Sequence, residues 1–235
     1  MTDDCQAEID DATAVRYVLR NTEALLLDFD GPVCSVFSGF PAPVVADQLR
    51  AVLSESAFSS LPAEIETSED PFDVFKHAAR IGENEARYVE SALRAHEVEA
   101  VQTAEPTPYS HQLIKQWSAI GRPMAIVSNN SAEAVSIYLE IHGLTDCVTG
   151  VVSRTSSDPG LLKPNPHLVS MAVQLLNRAP ENCTLVGDSS SDMDAANSAK
   201  VAAIGYANKP GKASTLRRPG VKAILSTMRL LLPNG

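Results

Sequence analysis

Leu25-Leu26-Leu27-Asp28-Phe29-Asp30-Gly31 sets two carboxylates two residues apart at the end of a short aliphatic run. A run of this length and composition suits a strand buried on both faces of a parallel sheet. In open parallel sheets, functional groups collect just past the carboxyl ends of the strands. Asp28 and Asp30 fall at such an end, on a tight Gly31-Pro32 exit. Carboxylates this close repel, and a bound cation resolves the repulsion. One can attack phosphorus as a nucleophile, while the other protonates the leaving alcohol and later deprotonates water.

Three further segments repeat the pattern of aliphatic run followed by polar groups. They are Ala125-Ile126-Val127-Ser128-Asn129-Asn130, then Leu162-Lys163-Pro164, then Leu185-Val186-Gly187-Asp188-Ser189-Ser190-Ser191-Asp192. The Ser128 hydroxyl and the Asn129 backbone N–H precede a helix start near Ala132, where an anion is favoured. Ser128, Asn129 and Asn130 are equally good helix caps, and both roles can hold together. Lys163, just before a helix beginning at Pro166, can neutralise an anion and a nucleophilic carboxylate at once. Asp188 can ligate a hard cation directly. Asp192 can ligate through water, hold Lys163, or simply place negative charge at a helix N-terminus. Magnesium, which keeps several waters and takes few carboxylates, suits this set. Each segment alone has an ordinary structural use, but four in this order supply what phosphoryl transfer needs beyond positioning.

Around these segments the chain has two textures. Strand-like runs at 24–27, 124–127, 147–152, 184–186 and 201–204 alternate with helical spacing at 109–120, 132–142, 166–177 and 192–199. That alternation predicts a doubly wound, Rossmann-like α/β core. Residues 36–105 show no convincing strand and predict helices at 44–56, 71–80 and 84–101, with an acidic loop at 64–70. Val45, Leu49 and Leu53 form the apolar stripe of the first. The expected organisation is a core of residues 1–35 and 106–235 with an inserted all-helical cap at 36–105. Extra crossover helices are the alternative, which the length of the insert disfavours. A helix at 11–21 and a covering helix at 223–232 complete the expected layout.

The 235 residues carry a net charge of −10 and a pI near 4.9, which speaks against nucleic-acid and anionic-membrane partners. No apolar run approaches the roughly 20 residues that span a bilayer. Residues 1–4 are acidic, the reverse of a secretory n-region. Cys5, Cys34, Cys147 and Cys183 have no metal-like spacing and read as reduced thiols of a cytoplasmic protein. The five histidines show no metal or serine-elbow pattern and read as structural or surface residues.

At these motifs the chain resembles the haloacid dehalogenase-like hydrolase superfamily. The likeness is to its capped phosphatases, of the phosphoglycolate phosphatase and β-phosphoglucomutase-like kind. The resemblance implies a magnesium-dependent phosphomonoesterase that cleaves a small phosphorylated metabolite through an aspartyl-phosphate. Asp28 would be the nucleophile, Asp30 the acid/base, Ser128 and Asn129 the phosphate binders, and Lys163 the neutralising cation. Asp28, the carbonyl of Asp30, Asp188 and Asp192 would make up the metal site. An acid at position 30 favours phosphate esters, since dehalogenase and phosphonate-cleaving members lack one there. Two departures stand out. Pro32 follows the first motif and removes a backbone N–H, and Cys34-Ser35-Val36-Phe37-Ser38-Gly39-Phe40 replaces the acid–serine pair of many small-phosphate members. A phosphomutase and a catalytically silent binding protein are the competing readings. Arg80, Arg87 and Arg94 are candidates for a second anionic contact, and a monomer and a homodimer fit equally.

Overall fold

The computed structural model describes residues 8–56 and 61–233. Its first half runs α1 (Ala12–Arg20), β1 (Ala24–Leu27), β2 (Cys34–Ser35), α2 (Ala42–Ser56), α3 (Ala63–Glu66), α4 (Pro71–Ile81), α5 (Glu83–Ala100) and β3 (Glu105–Pro106). The second half continues α6 (Ser110–Ala119), β4 (Met124–Ser131), α7 (Ala132–Ile141), β5 (Gly150–Arg154) and α8 (His167–Leu176). It ends with β6 (Cys183–Gly187), α9 (Ser190–Ser198), β7 (Ala202–Tyr206), α10 (Ala213–Leu216) and β8 (Val221–Leu225). The six longer strands form one parallel sheet in the order β5-β4-β1-β6-β7-β8. This is the doubly wound α/β architecture the sequence predicts.

β1 occupies the middle because its residues are apolar on both faces. Ala24 and Leu26 join one core cluster, Leu25 and Leu27 the other, as the two-residue period of a strand requires. The chain winds from β1 towards β4 and β5 on one side and towards β6, β7 and β8 on the other. β1 therefore flanks the topological switch point, the place where open α/β sheets bind ligands.

Between β2 and β3, which pair as a two-residue antiparallel ribbon, the chain forms only helices among the described residues. The stripe Val45, Leu49 and Leu53 is buried against Val74, Phe75, Val89 and Leu93, in one cluster with Val127, Leu162 and Leu185 of the sheet side. The helical insert thus shares one apolar interior with a face of the core. Asp70 caps α4 by accepting from the Phe72 amide, with Pro71 at the first helical position where its missing N–H costs nothing. The acidic loop at 64–70 contains the short helix α3, with Ile65 turned inward.

Two sequence expectations need correction. The strand expected at 147–152 lies three residues later: Thr145–Cys147 is a 3-10 turn, and pairing with β4 begins at Gly150. The helix expected at 223–232 is replaced by β8 and a 3-10 turn at Met228–Leu231. Ile224, Met228 and Leu231 have helical spacing, but the open edge of β7 recruits Val221–Leu225 as a partner strand. Asp10 fixes the bend that follows, its carboxylate accepting from the Ser226 amide and hydroxyl.

Cys34, Cys147 and Cys183 are free thiols; Cys5 and residues 1–4 lie outside the described residues. Among the described residues no helix is long and apolar enough to cross a membrane.

Candidate active site

Strand register brings the motifs together. Leu27 lies level with Val186 on one side and Ile126 on the other. The motifs therefore lie at nearly the same height: Asp28 just after β1, Asp188 just after β6, and Ser128 inside β4, which runs on past the expected end at Val127, just before its bulge. The Asp28 amide continues the ladder by donating to Val186 O at 2.9 Å. Gly31 follows with φ +101°, and a Cβ there would lie 2.4 Å from Asp188 Cγ. Only glycine permits so close an approach of the exit turn to the second motif.

Lys163 reaches the same point from the loop before α8. Its Nζ donates to Asp28 Oδ1 at 2.7 Å and to Val127 O at 3.0 Å, and forms an ion pair with Asp192 Oδ1 2.5 Å away. Asn129 fixes the backbone beneath it: Oδ1 accepts from Lys163 N at 2.9 Å, and Nδ2 donates to Lys163 O at 3.1 Å. Burial alone would lower the ammonium's pKa, but Asp192 and Asp28 outweigh it and hold the lysine above its usual range. Burial and Asp192 push Asp28 well above the ordinary carboxylate value, against the pull of Lys163. Asp192 resists its own burial because of Lys163 and stays below the ordinary value. Its Oδ2 also accepts from Ser189 N and Oγ, closing the capping box that starts α9.

Ser128 is buried and bound within its own loop. Its hydroxyl donates to Asn130 Oδ1 at 3.1 Å and accepts from the Asn130 amide at 3.1 Å. Ser131, not Ser128, caps α7 by accepting from the Ala134 amide. Asp30 lies beside the site rather than in the acid cluster, its Oδ1 accepting from the Val36 amide at 2.9 Å. Burial raises its pKa to about 6, with the Val36 bond pulling the other way.

One carboxylate oxygen each of Asp28, Asp188 and Asp192 lies within 4.8 Å of the other two. Burial raises Asp188 as it does Asp28, although Lys212 and Asn208 bind its Oδ2. Buried oxygens held against their repulsion fit a hard divalent cation. Within the cluster Asp192 has its contacts in Lys163 and Ser189, leaving Asp28 and Asp188 the better-placed ligands.

Sequence reasoning missed four residues here. Asn208 and Lys212 follow β7, in a stretch where the sequence shows no motif. Glu97 on α5 and Arg154 ending β5 form a buried pair against the Ser128 loop. Glu97 held one local sign, since it continues the buried Val89–Leu93 stripe at four-residue spacing. Arg80, Arg87 and Arg94 are instead exposed, Arg94 lying 3.7 Å from Glu133. His111 bonds the Tyr138 hydroxyl at 2.8 Å and stacks near His142. Phe37 and Phe40 are half-buried and pack against the core clusters.

The fold and site define the class: a doubly wound, Rossmann-like α/β protein with clustered acids and a bridging lysine at the switch point of its parallel sheet. A sequence profile of haloacid dehalogenase-like hydrolases matches residues 22–200, and the chain belongs to that family. Solved structures of the same fold include CbbY from Rhodobacter sphaeroides in complex with phosphate (TM-score 0.66, 17% identity, 91% of this chain and 96% of that one). Another is β-phosphoglucomutase from Clostridium difficile (TM-score 0.61, 18% identity, 88% and 91% covered). A third is described as a "predicted phosphoglycolate phosphatase" from Haemophilus somnus 129pt (TM-score 0.62, 18% identity, 88% and 95% covered). Among curated proteins none matches the sequence.

Proposed function

We propose that this hydrolase is a magnesium-dependent phosphomonoesterase that cleaves a small phosphorylated metabolite through an aspartyl-phosphate on Asp28. The observation that carries the reading is the Lys163 ammonium seated between Asp28 and Asp192, beside Asp188. Magnesium held by Asp28, Asp188 and the Asp30 carbonyl, with Asp192 in support, would supply neutralisation of the phosphoryl oxygens.

An Asp28 oxygen attacks phosphorus as the ester P–O bond breaks, and the protonated Asp30 gives its proton to the departing alkoxide. Lys163 pulls Asp28 towards its ionised form against burial and aims it, while the Ser128 hydroxyl and the Asn129 N–H receive the phosphoryl oxygens. Asp30, now a carboxylate, takes a proton from water. The water oxygen forms the new bond to phosphorus, releasing orthophosphate and restoring Asp28. Residues 36–105 act in this reading as a cap that shields the acyl phosphate from bulk water.

Purified protein with magnesium, offered sugar phosphates and phosphoglycolate among a panel of esters, is expected to release orthophosphate from at least one. Release from none removes the reading, and isomerised sugar phosphate without free phosphate selects a mutase.

Asp30 adds a pH signature. Its first task needs the protonated form, which burial keeps available up to about pH 6. Above that pH the protonated fraction falls about tenfold per unit, and kcat/KM for an alkyl phosphate is expected to fall with it. Asp30→Asn should flatten this limb and slow alkyl phosphates about 10²- to 10⁴-fold. p-Nitrophenyl phosphate, whose leaving group needs little protonation, should suffer less. An unchanged limb in the variant assigns the proton elsewhere.

A further inference from the structure

We propose that Glu97 and Arg154 are positioning residues for the Ser128 loop, so that α5 of the helical insert orients the phosphate-binding hydroxyl. This inference rests on the phosphatase reading and adds to it a coupling between insert and anion site.

Val89, Leu93 and Glu97 lie on one stripe of α5, and all three are fully buried. A leucine at 97 would satisfy packing, and replacing a buried ion pair by apolar side chains is often neutral or stabilising. Burying a carboxylate there serves something else. Glu97 Oε1 accepts from Asn130 Nδ2 at 3.1 Å, and its Oε2 accepts from the Ser131 amide at 2.9 Å and from the Arg154 guanidinium. Asn130 then turns its Oδ1 and its amide to the Ser128 hydroxyl. Arg154 completes the hold, its Nε donating to Asn129 O at 3.1 Å.

All three residues after Ser128 are therefore gripped by this one pair. Arg154 is not itself an anion receptor. Glu90, 2.5 Å away, and Glu97 neutralise it, its side chain is 1% exposed, and it stacks against Phe75. Its charge serves the carboxylate that serves Asn130.

Glu97→Gln tests the chain with almost no change of volume. The new amide NH₂ must face either Asn130 Nδ2 or the N–H groups of Ser131 and Arg154, so one donor in the first case and two in the second lose their acceptor. Asn130→Ala cuts the next link while leaving the Glu97–Arg154 pair intact. Titration calorimetry with orthophosphate at fixed magnesium reads the outcome directly, with no turnover required.

Both variants are expected to bind orthophosphate about tenfold more weakly than wild type. Adding Ser128→Ala to either should cost nothing further, because the three residues act as one unit. Circular dichroism and melting report folding separately, and Asn130→Ala carries the test if Glu97→Gln does not fold. Wild-type affinity in Asn130→Ala, or losses that multiply with Ser128→Ala, overturns the proposal. Wild-type protein that binds no orthophosphate with magnesium overturns the phosphatase reading itself, a distinct result.

Discussion

Asp28→Asn is expected to reduce kcat by at least about 10⁴-fold while the protein stays folded, in line with removal of a covalent nucleophile. An amide oxygen is a poor nucleophile and cannot form the acyl phosphate. The substitution keeps the volume of the side chain, so the Phe29 amide and Lys163 still meet an oxygen acceptor in a suitable rotamer. Lys163 also retains Asp192 and Val127 O.

Stability should not fall with activity. Asp28 is held above the ordinary carboxylate range, chiefly by burial and then by Asp192. A carboxyl with a raised folded-state pKa binds its proton more tightly when folded, so its ionised form opposes folding at neutral pH. A neutral amide removes that opposition, and the melting temperature at pH 7 is expected to match or exceed wild type. Release of orthophosphate from the panel and calorimetric melting check the two halves. Retained turnover removes Asp28 as nucleophile; lost turnover with lost folding leaves the comparison with Asp30→Asn to separate chemistry from structure.

The parts of this site that were legible in the sequence share one property: each is fixed by its immediate neighbours. Leu25-Leu26-Leu27 announces a strand buried on both faces, and Asp28 must then emerge at its carboxyl end. The same reasoning locates Asp188 after β6 and Ser128 towards the carboxyl end of β4, and Asp192 falls in the first turn of α9, where its charge was expected. β8 failed that test, since Ile224, Met228 and Leu231 fit a helix and only the vacant edge of β7 decides otherwise.

Glu97 and Arg154 were hidden for a related reason. They stand 57 positions apart, and nothing near either announces the other. Lys212 gave no local sign because its partner, Asp188, lies 24 positions back across β7. Arg80, Arg87 and Arg94 looked more promising as anion contacts than Arg154, yet helix faces place all three outward. Local pattern identifies which residues leave a strand; it does not say which distant charge meets them.

Lys163→Met tests the geometry on stability as well as on rate. The lysine side chain is 2% exposed, and the variant leaves Asp28 and the fully buried Asp192 without their shared cation. Removing one partner of a buried pair costs about 3–5 kcal/mol. At about 2–4 °C per kcal/mol for a chain of this size, melting should fall by about 6–20 °C at pH 7. The pH dependence identifies the cause. In wild type Lys163 depresses Asp192, so the pair stabilises the fold above the unfolded carboxylate pKa and that stability is lost as pH falls through the folded value. In the variant both buried acids resist ionisation, and protonation relieves them. The gap between variant and wild type should therefore be widest near neutral pH and narrow towards pH ~4, where carboxylates ordinarily titrate. Added magnesium should recover part of the gap at pH 7, because a cation on Asp28 replaces some of the missing charge. A variant that melts with wild type at pH 7 would mean that Lys163 does not hold these two carboxylates together. A gap that stays constant on acidification would trace the loss to packing of the lysine's methylenes rather than to its charge.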